Sequence, residues 1–258
     1  MKIGLCQYNP TWENVEINKK KIHNLLEQKP DNTDLLIFPE LTLTGFTMQP
    51  NKFAESREGS TYSFFKEIAI EHSSEVIYGQ VLGDDGNCFN MLVHLDKQGM
   101  PLNHYLKIHP FSYGSENLHY AKGSSPITSI SNNYSVGYGI CYDLRFPEMF
   151  RIYGKNRVDI IVVIANWPVT RIKHWYALLK ARAIENQCFV IGVNRTGNDP
   201  KLEYSGFSAI FDPMGEEKIC LDFSNERERE TMAVKEIDIS EAQKVRNTFP
   251  FLQDIRLI

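Results

Sequence analysis

Short apolar runs alternate along the chain with longer segments whose apolar residues recur every three or four positions, the pattern of strands interleaved with amphipathic helices. That alternation predicts an α/β fold with a largely buried sheet. Residues 3–7 read as a first strand, and residues 14–27 as a helix with Val15, Ile17, Ile22, Leu25 and Leu26 set among lysines and glutamates. Residues 35–38 are wholly apolar and are stopped by Pro39, a short strand; Ser60–His72 reads as a second helix capped by Ser60. Residues 76–82 and 88–95 flank the Gly- and Asp-containing stretch 83–87, which predicts a hairpin.

Further on, residues 103–106 read as a strand or loop, and the polar, Gly- and Ser-containing stretch 112–125 as a functional loop. Residues 134–141 form a strand that ends at Cys141, and residues 147–153 a short helix with Pro147 in its first turn. A buried strand over 159–166, a helix over Ile172–Asn186 and a strand over 188–193 come next. Residues 207–211, 218–223 and 231–237 read as consecutive strands, and a last short helix begins at 238–240 with Ser240 as its cap. Neither an internal repeat nor a low-complexity tract nor a linker interrupts residues 1–258, so a single domain is expected.

Composition narrows the function classes. The net charge is −4 and the Lys and Arg residues are scattered, which argues against nucleic acid or an anionic membrane as partner and leaves small molecules open. Cys6, Cys88, Cys141, Cys188 and Cys220 are odd in number and lack C-x-x-C spacing, so neither a disulfide framework nor a zinc site is indicated, and a reducing cytoplasm fits best. The apolar run over residues 160–165 is far below the ~20 residues that span a bilayer. Gly137-Tyr138-Gly139 lies inside a strand without a third glycine and is no dinucleotide fingerprint.

Open α/β sheets place their chemistry beyond the carboxyl ends of strands, where Glu40, Lys107 and Cys141 stand. Alone, each has a bland reading: an inert core thiol, a solvated glutamate, a solvated lysine. Together they supply a nucleophile, a general base in Glu40 and, in Lys107, a cation able to hold the thiolate and to stabilise an oxyanion with a backbone N–H after Cys141. A cysteine–histidine pair is the competing arrangement, with His109 and His174 as the candidates, although no papain-like flanking pattern accompanies Cys141.

The segments Phe38-Pro39-Glu40, residues 106–111 (LKIHPF) and residues 139–148 (GICYDLRFPE) resemble, in order and spacing, the three motifs of the nitrilase superfamily of carbon–nitrogen hydrolases. The stretches around Ala165-Asn166-Trp167-Pro168, residues 181–186, Asn194-Arg195 and Asp212-Pro213 are similar as well, so the resemblance covers nearly the whole chain. It implies a four-layer α-β-β-α sandwich, usually a homodimer joined through the helical face beside the nucleophile, with no metal or organic cofactor. The implied roles are nucleophile for Cys141, base for Glu40, oxyanion stabiliser for Lys107, and orientation of these groups for Glu116.

Cys141-Tyr142-Asp143 differs from the Cys-Trp-Glu of nitrile-cleaving members and is similar to the omega-amidase branch, which implies hydrolysis of short 2-oxoacid monoamides such as 2-oxoglutaramate and 2-oxosuccinamate. The alternatives are another amidase of the superfamily, acting on deaminated glutathione or N-carbamoyl compounds, and a catalytically silent binding dimer. Arg145, Arg171, Arg195 and His119 are candidates to clamp the far carboxylate, while Phe111, Tyr142 and Trp167 are candidates to wall the pocket, or equally to pack in the core. Arg145 and Glu148 are expected to pair with each other or fix the helix start.

Overall fold

A computed structural model describes residues 1–27, 30, 32–131, 133–222, 225 and 229–257. Its strands are β1 (Lys2–Gln7), β2 (Leu35–Ile37), β3 (Glu75–Asp84), β4 (Asn87–Leu95), β5 (Pro101–Leu106), β6 (Thr128–Ser131), β7 (Tyr134–Ile140), β8 (Ile160–Ala165), β9 (Phe189–Asn194), β10 (Thr196–Asn198), β11 (Glu203–Phe211), β12 (Glu217–Asp222) and β13 (Thr231–Glu236). The helices are α1 (Val15–Leu26), the single turn α2 (Pro50–Phe53), α3 (Ser60–His72), α4 (Pro147–Lys155), α5 (Ile172–Asn186) and α6 (Ser240–Thr248).

Two sheets result, one in the order β13-β1-β2-β3-β4-β5 and one in the order β10-β11-β9-β8-β7-β6, with β12 paired to β11. Both are parallel at their centres, where the strands are continuous apolar runs because both faces are covered. On the outer side of the first sheet, Ile22 and Leu26 of α1 and Phe65 and Ile68 of α3 pack against Leu36, Val76 and Tyr78. Phe150 and Tyr153 of α4 and Trp175 and Leu179 of α5 close the outer side of the second. The facing sides meet through Leu5, Ile37, Ile77 and Leu92 against strands β7 and β8, which completes the α-β-β-α sandwich expected from the sequence.

A buried polar cluster also joins the sheets. Ser131 and Tyr134 donate to the Glu75 carboxylate at 2.6 and 2.5 Å, and His94 lies 3.0 Å from Glu75 and 2.8 Å from the Tyr138 hydroxyl. Burial would raise the Glu75 carboxyl, but His94 and the two hydroxyl donors outweigh it and hold the group below its ordinary value.

Several expectations are sharpened or corrected. In the hairpin, Asp84 pairs with Asn87, so the turn is only Asp85-Gly86, both with positive φ (45° and 76°), the type I′ geometry that matches strand twist. Neither Ser60 nor Ser240 is a cap, since each is the first helical residue. Glu55 instead accepts from Thr61 N at 2.7 Å, and Asp238 from Ser240 N at 3.0 Å. The three strands expected over 207–211, 218–223 and 231–237 form as β11, β12 and β13, and β13 crosses to the first sheet, where it pairs antiparallel with β1, Lys2 opposite Glu236. Phe223, at the end of the second of these predicted strands, lies outside the described residues.

Candidate active site

Glu40, Lys107 and Cys141 stand just past the carboxyl ends of β2, β5 and β7. Each corner is built by the local chain. Pro39 stops β2, and Leu41, directly after Glu40, has a φ of 46°, a left-handed conformation that costs a branched residue about 1–2 kcal/mol. Close packing imposes it: Gly79 of β3 lies so near that a Cβ there would meet Leu41 N at 2.4 Å, and Thr42 N donates to Gly79 O at 2.9 Å. Lys107 is held by its N–H to Asn90 O at 2.9 Å and by Gly123 N donating to its carbonyl at 2.8 Å. Cys141 also has positive φ, 46°, and opens a 3-10 turn over Cys141–Arg145 that leads into α4.

The two carboxylates and the ammonium form one buried unit. Lys107 Nζ donates to Glu40 Oε1 at 2.8 Å and to Glu116 Oε2 at 2.9 Å. Asn90 Nδ2 bridges the same carboxylates, at 2.7 Å to Glu40 and 2.9 Å to Glu116. Glu116 further accepts from Phe111 N at 2.6 Å, while Glu40 Oε2 accepts from Asn166 N at 2.9 Å and Asn166 Nδ2 at 3.3 Å. Glu116 thus joins the site from the loop the sequence marked as functional. Asn90 was not anticipated; a lone polar residue in the otherwise apolar run 88–93 was its only signal.

One ammonium group thus sits between two carboxyl groups. Burial alone would discharge Lys107, but Glu116 and Glu40 outweigh it and raise its pKa well above the ordinary value. For Glu116, burial is the largest influence and Lys107 only partly offsets it, so its carboxyl is raised. Burial likewise pushes the Cys141 thiol well above its ordinary range, and repulsion from Glu40 adds to it against the attraction of Lys107. This direction disfavours the thiolate that Lys107 was expected to hold and favours a thiol whose proton a base takes.

The cysteine–histidine alternative does not form. Cys141 Sγ has Asn166 O as its neighbour at 3.9 Å, His109 Nδ1 is engaged by Asp143 at 2.8 Å, and His174 Nδ1 lies 3.4 Å from Arg145.

Around Cys141 a cavity of about 30 Å³ is lined by Phe46, Phe111, Tyr142, Arg145, Trp167 and Arg171, among others. It shares Phe46, Phe111, Arg171 and Leu202 with an outer cleft of about 480 Å³. Phe111, Tyr142 and Trp167 are thus brought to the cavity, with Phe111 and Tyr142 edge to face at 4.9 Å. Phe46, which the sequence did not single out, carries Lys107 Nζ 5.3 Å above its ring.

Among the cationic candidates only Arg145 and Arg171 line the cavity. Arg145 lies 4.8 Å over Trp167, away from the expected pairing with Glu148, and Arg171 lies 5.6 Å from the Phe111 ring centre. Arg195 is buried and committed to Asn9, Asn198 and the Tyr204 ring. His119 is exposed and lines neither cleft.

Comparison with known proteins agrees with this geometry. A profile of the carbon-nitrogen hydrolase family matches residues 2–247. The chain is 32% identical over 256 residues to the 2-oxoglutaramate amidase of Bacillus subtilis (strain 168), covering 98% of this chain and 97% of that protein. It is 31% identical to the omega-amidase YafV of Escherichia coli (strain K12), over 98% and 96% of the two chains. A CN-hydrolase superfamily protein from Xanthomonas campestris, solved with an arsenic adduct in its active site, superposes with a TM-score of 0.91 at 31% identity over 100% of this chain and 98% of that one. Motif order, sandwich architecture and these likenesses together establish that the chain belongs to the carbon-nitrogen hydrolase family, in the omega-amidase branch of the nitrilase superfamily, and is an enzyme acting on amides.

Proposed function

We propose that the protein hydrolyses the terminal amide of short 2-oxoacid monoamides, 2-oxoglutaramate and 2-oxosuccinamate, through a thioester on Cys141. The observation that carries this reading is the small cavity at Cys141 with Arg145 and Arg171 in its wall and the Glu40–Lys107–Glu116 unit beside it. Glu40 takes the thiol proton as Sγ attacks the amide carbon, and Lys107 with the Tyr142 N–H stabilises the resulting oxyanion. The proton passes to the amide nitrogen as the C–N bond breaks, and ammonia leaves. Water, deprotonated by Glu40, then attacks the thioester; the C–S bond breaks, the thiol regains the proton and the dicarboxylate departs.

The four donors on Glu40 occupy its four lone-pair sites, so one must yield before the carboxylate accepts a proton. The 3.3 Å bond from Asn166 Nδ2 is the longest and yields first.

Arg171 borders both the inner cavity and the outer cleft, which favours it over Arg145 for the far carboxylate. Arg171→Met is expected to raise KM for 2-oxoglutaramate about tenfold or more, as loss of a charge-assisted bond worth roughly 1.5–3 kcal/mol requires. Its kcat for an uncharged short-chain amide should stay near wild type. Ammonia release measured side by side on 2-oxoglutaramate, 2-oxosuccinamate, deaminated glutathione and N-carbamoyl compounds tests the substrate class; preference for either of the last two would overturn it.

The reading includes a homodimer, supported by exposed Ile184, Phe251 and Leu257 around a groove of about 700 Å³ beside α4 and α5. Sedimentation equilibrium should give twice the chain mass, and a monomer at micromolar concentration would refute the assembly. It also places the enzyme in the cytoplasm, supported by five free cysteines, and cell fractionation checks that placement.

A further inference from the structure

We infer that Asp143 and His109 form a positioning pair that fixes the Cys141 corner against the Lys107 corner. Cys141 follows β7 in one sheet, whereas Lys107 follows β5 in the other, so their relative position depends on contacts made between the sheets. Asp143, two residues after Cys141 and fully buried, reaches across. Its Oδ2 accepts from Ile140 N at 3.0 Å and from the Tyr105 hydroxyl at 2.7 Å. Its Oδ1 accepts from His109 N at 2.9 Å and from His109 Nδ1 at 2.8 Å. Ile140 directly precedes the nucleophile, while Tyr105 and His109 stand two residues to either side of Lys107. One carboxylate therefore ties both corners together.

The same contacts explain how Cys141 keeps its unfavourable φ of 46°. A non-glycine residue in that region persists only where its surroundings over-determine it. Asp143 secures the N–H just before the strained residue, and His109 secures Asp143. An ionised carboxylate only accepts, so the His109 proton sits on Nδ1, and the ring is braced by stacking on Phe146 at 3.8 Å between centroids and 9° between planes. His109 is partly exposed, with 28% of its side chain accessible, and it lines neither cleft at the site. It acts through Asp143 and does not touch substrate.

This inference rests on Cys141 as nucleophile, and the experiment separates the two. His109→Ala, His109→Asn and Cys141→Ala are compared with wild type by kcat, KM and thermal midpoint on the best amide of the substrate panel. Asn can place its Nδ2 donor near the position of the histidine Nδ1, so it restores the bond to Asp143 without an imidazole. His109→Ala should lose at least tenfold in kcat with KM within twofold, since small misplacements of reacting groups are costly. His109→Asn should recover most of that loss. A loss borne by KM, or Asn no better than Ala, would overturn the positioning role. Wild-type turnover by Cys141→Ala would overturn the nucleophile assignment, and with it this one.

Discussion

Glu40→Gln is expected to lower kcat/KM for amide hydrolysis about 10²–10⁴-fold, the usual contribution of a positioned general base. The amide preserves the shape of Glu40 and can still accept from Asn90 or Asn166, so the fold should survive, and circular dichroism would check this. Cys141→Ala sets the floor. The diagnostic lies in the thiol. Burial first, then the Glu40 charge, push the Cys141 pKa up, so removing that charge lets the thiol titrate at lower pH. Iodoacetamide labelling of the Cys141 peptide, followed against pH, should shift to a lower midpoint while turnover falls. A more acidic thiol in a slower enzyme is the signature of a lost base; unchanged turnover would exclude Glu40 from that role.

Lys107→Met is expected to abolish measurable turnover and also to destabilise the protein, because it leaves Glu40 and Glu116 buried without their cation. Breaking a buried pair in this way costs roughly 3–5 kcal/mol. The pH dependence has a definite sign. Burial already raises Glu116, and without Lys107 its folded-state pKa rises further above the unfolded value of about 4.5. A raised acid favours the protonated folded form. The variant should therefore approach wild-type stability below that value and lose ground progressively as pH rises through the folded pKa. Thermal midpoints from pH 4 to 8 would show the gap to wild type widening; a gap independent of pH would mean the two carboxylates share their charge differently from this account.

The comparison of sequence and structure turns on how local each signal is. Periodicity located the central strands because 35–38 and 160–165 are apolar throughout, as strands covered on both faces must be. Helix caps were misread at Ser60 and Ser240 because the acceptors, Glu55 and Asp238, precede the helix by several residues or lie just outside the expected cap. Strand β6 and the destination of β13 were not legible: antiparallel pairing between residues 2 and 236 leaves no trace in either segment.

At the site, Glu40, Lys107 and Cys141 were readable because each ends an apolar run and a motif surrounds it. Glu116 was a weaker reading on a loop, and the structure brings it onto Lys107. Asn90, Phe46 and the bridging role of Asp143 were not readable, since their chemistry depends on residues 26 to 61 positions away. The four cationic candidates were equivalent in sequence; burial removed Arg195 and exposure removed His119 from the cavity wall.

By itself, then, the sequence determined the alternation of strand and helix, the family motifs and the three corners of the site, because these are written in short contiguous stretches. Tertiary structure alone decided the electrostatic balance of that site. Enclosing one lysine with two carboxylates and a thiol makes the desolvation and mutual charge of groups from four separate segments act on one another, and no contiguous stretch encodes that sum.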